Sequence, residues 1–294
     1  MTRRELFAAT AGAAAAAAKS RYAPKLGVQT YVWTQHFNAQ KKPLAEGIEE
    51  IFATSRKAGY RRLELVSQFV RPDLFDRTAQ LLKKYGLELP VVYNGGPLHD
   101  AGQAGKTMAD MLEVAGAARR LGAKYLNTNP NPKPQRAPKT AEELAVQAAF
   151  INRLGAALRE QGLRLILHHH DPEMKENARE FRHLLDNTDP KLAGLCIDID
   201  WVIRGGQQLM PILELAGTRV DSFHLRNARN GVWAESLADG DYDYPAVRRH
   251  LEKIGFSGYL VVELAVEKAT KVTRSLAENL RLSRDYAVKV FGAK

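Results

Sequence analysis

The sequence of 294 residues holds a single cysteine, Cys196. No intramolecular disulfide can form, which excludes a small secreted scaffold stapled by cross-links. No glycine-rich phosphate loop occurs, and no G-x-G-x-x-G follows the first apolar run, which argues against an open dinucleotide-binding sheet. No strip of interleaved aromatic and basic residues marks a nucleic-acid surface. No apolar run is long enough to span a bilayer comfortably, so no membrane anchor is expected. After Pro24 no low-complexity linker interrupts the chain, and residues 25–294 read as one domain.

What the chain does have is 45% hydrophobic residues, enough for a large core. Its formal net charge is +10. The basic residues are scattered among glutamates on helix-like segments such as EGIEEIFATSRKAGYRR, the pattern of a solvated surface. The N-terminus stands apart. In MTRRELFAATAGAAAAAAKS, Arg3 and Arg4 precede a weakly apolar, small-residue run with several A-x-A sites. It resembles a twin-arginine export signal. Residues 1–24 are therefore expected to be a signal and linker, and the protein periplasmic or otherwise exported. The other reading of the segment is an Ala-rich helix that stays attached, with the protein cytoplasmic.

Beyond Pro24, short apolar runs alternate with longer amphipathic ones. The apolar runs are 25–33, 61–67, 88–94, 124–130, 163–170, 192–200, 220–227 and 258–266. They are rich in Val, Ile and Leu and bounded by Gly, Pro or Asn, as buried parallel strands are. Between them lie stretches of helical period, such as PLAEGIEEIFATSRKAGY. Gly59, Gly86, Gly122, Gly162 and Gly255 each end a helical run before a strand, the place of a helix-terminating glycine. Eight β-then-α units predict a closed (β/α)8 TIM barrel.

In such a barrel, functional side chains gather at the C-terminal ends of the strands. The polar groups there are Gln29, Tyr31, Trp33, Glu64, Tyr93, Asn94, Asn127, Asn129, His168, His169, His170, Glu173, Asp198, Asp200, His224, Arg226, Asn227 and Glu263. Imidazoles and carboxylates from successive strands suit one divalent ion such as Mn, Fe, Co or Zn better than Ca. Strand alternation puts His168 and His170 on one face, His169 on the other, and Asp198 and Asp200 together. Glu263 lies in an otherwise apolar run, where an unpaired carboxylate is costly. Asp171 and Asp200 each have the alternative of capping a helix.

The motifs LGVQTYVW, AGYRRLEL, LILHHHDPEM, CIDIDWVIRGG, FHLRN and GYLVVEL, in that order, resemble the xylose isomerase-like TIM-barrel superfamily, the sugar phosphate isomerase/epimerase group. The likeness covers residues 25–290. It implies one metal held from strands five to eight, with Asp198, His224 and Glu263 matching three ligands. The strand-five ligand of that group is a glutamate that here falls at His168, leaving His168, His170 or Glu173 as the fourth. The Lys of a His-Leu-Lys-Asp motif is here Arg226, a poor general base. The resemblance implies proton abstraction next to a carbonyl, an enediolate, and Glu263 and Glu173 as the carboxylates that move protons. The outcome is isomerisation, epimerisation or, as in lyases of a His-x-His subgroup, elimination on a keto-sugar or 3-keto-glycoside. Trp33, Tyr93 and Trp201 are candidates to stack on a sugar ring, and Glu64, Asn94, Asn127, Asn129 and Arg226 to bind it. Two further readings are a non-catalytic sugar-binding barrel and a DNA-repair endonuclease of the same superfamily. The second needs three metals and a DNA-facing basic surface, so no nucleic-acid partner is expected. The loop 227–245 overhangs the site or forms a contact between copies of the chain, which makes a homo-oligomer an expectation.

Overall fold

Short runs of Val, Ile and Leu without polar alternation need cover on both faces. The computed structural model provides it by closing the strands on themselves and ringing them with helices. It describes residues 22–293. The export-signal motif therefore lies outside the described residues.

Strand β1 (Lys25–Gln29) leads into α1 (Tyr31–Gln40) and α2 (Leu44–Lys57). Then come β2 (Arg62–Val66) and α3 (Pro72–Tyr85), β3 (Glu88–Tyr93) and α4 (Ala104–Arg120), and β4 (Tyr125–Thr128) and α5 (Ala141–Glu160). Strand β5 (Arg164–Leu167) precedes α6 (Asp171–Asn187), and β6 (Ala193–Asp198) precedes two short helices, α7 (Ile199–Arg204) and α8 (Leu209–Ala216). After β7 (Val220–Leu225) the chain makes an antiparallel hairpin, β8 (Ala228–Arg229) with β9 (Val232–Trp233), before α9 (Tyr244–Lys253). Strand β10 (Tyr259–Val262) and α10 (Leu276–Phe291) close the fold. The barrel order is β1-β10-β7-β6-β5-β4-β3-β2, with parallel pairing throughout. This is a (β/α)8 barrel.

The helix starts follow local chemistry. Thr140 and Glu143 form a reciprocal capping box at α5, Asp243 caps α9, and Ser275 caps α10. All five helix-ending glycines take positive φ, for example 94° at Gly59 and 59° at Gly86, where a Cβ would be strained.

The strands are shorter than the sequence suggests. The run 25–33 ends as a strand at Gln29, and Tyr31 to Gln40 is helical. Its Tyr, Val, Trp and Thr favour strands, but packing prevails over propensity. Val32, Trp33 and Phe37 are buried, and Phe37 lies where a Cβ on Gly47 of α2 would overlap its ring. Trp33 is thus a core residue with no exposed surface, and the expectation that it stacks on substrate is corrected. Strand β6 likewise ends at Asp198, not at 200. Asp198 is itself the cap of α7, accepting a hydrogen bond from Trp201 N at 3.0 Å. The strand alternation expected to pair Asp198 with Asp200 fails because a helix begins between them.

Candidate metal centre

The register of the sheet sets the site. Asp198 on β6 lies beside His224 on β7, and His224 beside Val261 on β10, so Glu263 emerges one step beyond that strand. His168 emerges just after β5, its backbone N–H donating to Thr128 O at 2.8 Å. One donor atom from each of His168, Asp198, His224 and Glu263 falls within 4.8 Å of the others, and all four residues are buried.

These groups fit a divalent cation. His168 Nε2 and Asp198 Oδ2 are buried with no hydrogen-bond partner. Lone pairs left unmet inside a protein are expensive, and a cation satisfies them together. His168 Nε2 is 3.5 Å from Asp198 Oδ2, and His224 Nδ1 is 3.0 Å from Glu263 Oε2. Two imidazoles and two carboxylates suit Mn, Fe, Co or Zn.

Protonation follows the burial and the charges. Burial, then the charge of His224, holds His168 well below the usual imidazole value. Burial would lower His224 too, but Cys196, Glu64 and Glu263 around it push it well above. Burial lifts Asp198 to about 6, against the pull of Arg226. Burial would also lift Glu263, but Arg226 and His224 hold it well below the carboxylate range.

The groups around the four complete the site. Both oxygens of Glu64 lie 3.1 Å from His224 Nε2, and Asn127 Nδ2 donates to Glu64 Oε1 at 3.0 Å. Glu64 therefore meets the far side of the His224 ring. Arg226 donates from Nη2 to Glu263 Oε2 at 2.8 Å and lies 3.5 Å from Asp198 Oδ2. Its guanidinium sits 4.5 Å from the Trp233 ring centre and 5.5 Å from that of Trp201. Trp233 is held in turn by Asp200, which also accepts from Tyr242 OH at 2.6 Å.

The remaining candidates separate. The His169 ring turns away from the cluster, with Nε2 accepting from Asp198 N at 3.2 Å. His170 is outside the four-residue cluster and is the cap position of α6. Its ring meets His168 edge-on at 4.8 Å and Trp201 at 5.2 Å. Tyr93 OH donates to Asn129 Oδ1, which turns Asn129 Nδ2 toward His170 Nδ1 at 3.2 Å. That pattern assigns the His170 proton to Nε2.

Glu173 is also outside the cluster. Its Oε2 accepts from His170 N at 2.8 Å, and its Oε1 lies 3.9 Å from Lys139 Nζ, a lysine bound to Glu180 at 2.6 Å. Burial, with Glu180 next, raises Glu173 to about 8. Asn94 does not face the cluster either, since its amide donates to Asp110 Oδ2 on α4 at 2.9 Å. Alternation along β3 sends Tyr93 inward and Asn94 toward the helices; Tyr93 meets His168 edge-on at 5.9 Å. Sequence reasoning missed Trp233 and the part played by Asp200. The loop of 227–245 was the signal available, because such loops carry function in this fold.

Known proteins agree with this architecture. A family model described as xylose isomerase-like TIM barrel matches residues 52–286. The inosose dehydratase of Geobacillus thermodenitrificans is 24% identical over 275 residues, covering 83% of this chain and 91% of that protein. That of Clostridium perfringens is 28% identical over 146 residues, 44% of this chain, and the match spans only 49% of that protein's length. A crystal structure of a sugar phosphate isomerase/epimerase from Parabacteroides distasonis superposes with a TM-score of 0.71 at 19% identity, covering 90% of this chain and 93% of that one.

Proposed function

The chain belongs to the xylose isomerase-like TIM-barrel family, and from that premise we propose a divalent-metal-dependent enzyme of the isomerase, epimerase or lyase type that acts on a carbohydrate. Within that class the reading favoured here is elimination of water from a keto-sugar or 3-keto-glycoside. One observation carries the choice. Proton return at a second position or face calls for a second carboxylate, and Glu173, the candidate, is committed to the cap of α6 beside Lys139. The names of the inosose dehydratases support the same direction.

His168, Asp198, His224 and Glu263 would hold the ion. When bound, it supplies Lewis-acid polarisation of a substrate carbonyl. Glu64 fixes the His224 ring. Glu263, at the barrel rim, takes the proton from the carbon next to the carbonyl. The electron pair released collapses toward the neighbouring carbon and expels its hydroxyl, which leaves as water with the proton that Glu263 has taken. The product is an α,β-unsaturated ketone. Arg226, fixed against Trp233, keeps Glu263 charged. Export of such an enzyme, where free glycosides are met, accords with the paired arginines of the N-terminus. Among the described residues no helix is long and apolar enough to cross a membrane.

The test is incubation of metal-loaded protein with keto-sugars and 3-keto-glycosides in deuterated water. Growth of an ultraviolet-absorbing enone with loss of one water is expected, abolished by Glu263→Ala. A new stereoisomer carrying solvent deuterium, with no loss of water, would replace elimination by epimerisation.

A further inference from the structure

Loops after the seventh and eighth strands, with the start of the following helix, are where barrels of this fold commonly seat a substrate phosphate. In this chain the corresponding loops follow β7 and β10, and the seat between them is filled from within. Glu235, two residues beyond Trp233, is buried there. Its Oε2 accepts from Thr273 N at 2.8 Å, Arg274 N at 3.2 Å and Asn279 Nδ2 at 3.0 Å. Its Oε1 accepts from Thr273 Oγ1 at 2.5 Å and from Arg274 Nε at 3.0 Å. Two backbone N–H groups, a hydroxyl, an amide and a guanidinium aimed at one pair of oxygens, at the start of α10, form a donor set suited to a phosphate. Burial works against the charge on Glu235, yet these donors bring its carboxyl down to about 2.

The position is at the mouth of the site. Glu235 continues the strand whose Trp233 lies against Arg226, and Arg226 bonds Glu263. Glu235 and Arg274 also border cavities of about 420 and 710 Å3. A second anion cannot share the cradle. It would meet the Glu235 carboxylate at close range, and Asp239 already holds the other side of Arg274.

We infer that Glu235 is a built-in occupant of an anion cradle at the mouth of the barrel, and that the substrate is therefore an unphosphorylated sugar. The second half rests on the proposed sugar chemistry, while the cradle stands without it.

The test separates the two. Inorganic phosphate is titrated into full-length wild-type protein and into Glu235→Ala, by calorimetry and by thermal melts, with chloride at matched ionic strength as control. The wild type is expected to show no saturable phosphate binding at millimolar concentration. Glu235→Ala is expected to melt several degrees lower, and to recover at least half of that loss saturably with phosphate but not with chloride. Saturable phosphate binding by the wild type that is lost in Thr273→Ala would overturn the inference, and needs no Glu235 variant to fold. Recovery of Glu235→Ala by chloride as well as by phosphate would also overturn it. Wild-type turnover of a keto-sugar and its phosphate ester is then compared. At least a tenfold preference for the free sugar supports the specificity. Equal or better use of the ester refutes it, and turnover of neither sinks the proposed reaction while leaving the cradle result intact.

Discussion

Replacing Glu64 by glutamine isolates the carboxylate that stands behind His224. If His224 binds an ion through Nδ1, its proton sits on Nε2 and is donated to Glu64 at 3.1 Å. Asn127 donates to the same carboxylate at 3.0 Å, and all three residues are almost fully buried. Glutamine keeps one acceptor oxygen but sets an NH2 against one of these donors. An unmet buried donor costs about 1–3 kcal/mol, and that is the expected loss of apo-protein stability. A carboxylate partner of a ligating histidine typically accounts for roughly 10–100-fold of metal affinity. The corresponding free energy is about 1.4–2.7 kcal/mol. Affinity is read by competition with a chromogenic chelator at fixed pH, and stability by urea unfolding of the chelated protein. A folded Glu64→Gln protein that binds the ion within about twofold of wild type would show that Glu64 does not orient His224 for a metal.

Other perturbations probe the surroundings. Burial and Glu180 raise Glu173 from 4.5 to about 8, so the folded state binds that proton more tightly than the unfolded chain. The stability it contributes is present at acid pH and is lost as pH rises from 4.5 toward 8. Glu173→Gln should flatten that slope in denaturant melts across the range, and an unchanged slope would refute the assignment. Asp200→Asn leaves Trp233, Tyr242 and Arg204 facing an amide and should cost about 2–3 kcal/mol. It should also shift tryptophan fluorescence and raise KM more than it lowers kcat, and a silent variant would contradict the clamp. Against burial, Cys196, Glu64 and Glu263 hold His224 protonated above the usual range, so loading an ion releases a proton and tightens as pH rises. Calorimetry in buffers of different ionisation heat reads that proton directly.

Much of this is legible in the sequence. Eight apolar runs with glycines closing the intervening helices predict the barrel. Strand ends then bring Asp198, His224 and Glu263 into one neighbourhood although 65 positions separate the first from the last. Side-chain direction was legible only where the backbone stayed extended. His169 turns away as alternation requires, but Asp198 and Asp200 part because α7 starts between them. Tyr93 and Asn94 are neighbours in sequence, and only the placement of Asp110 on α4 shows which faces out. Trp33 was misread because a strand-favouring stretch folds as a helix once Phe37 finds Gly47. The choice among His168, His170 and Glu173 depends on where β5 ends and on a capping box that closes over His170. Nor does local spacing connect Glu235 with Thr273, Arg274 and Asn279, which the fold joins across two loops.

The central claim is that His168, Asp198, His224 and Glu263 hold one divalent ion. Elemental analysis of untagged protein, purified without chelator and after reconstitution, tests it most directly. The account predicts about one equivalent of Mn, Fe, Co or Zn per chain in the wild type and in folded His170→Ala and Glu173→Ala, and loss of the ion in His168→Ala and Glu263→Ala. Absence of bound metal from every wild-type preparation, or its persistence in His168→Ala with loss in His170→Ala, would contradict it.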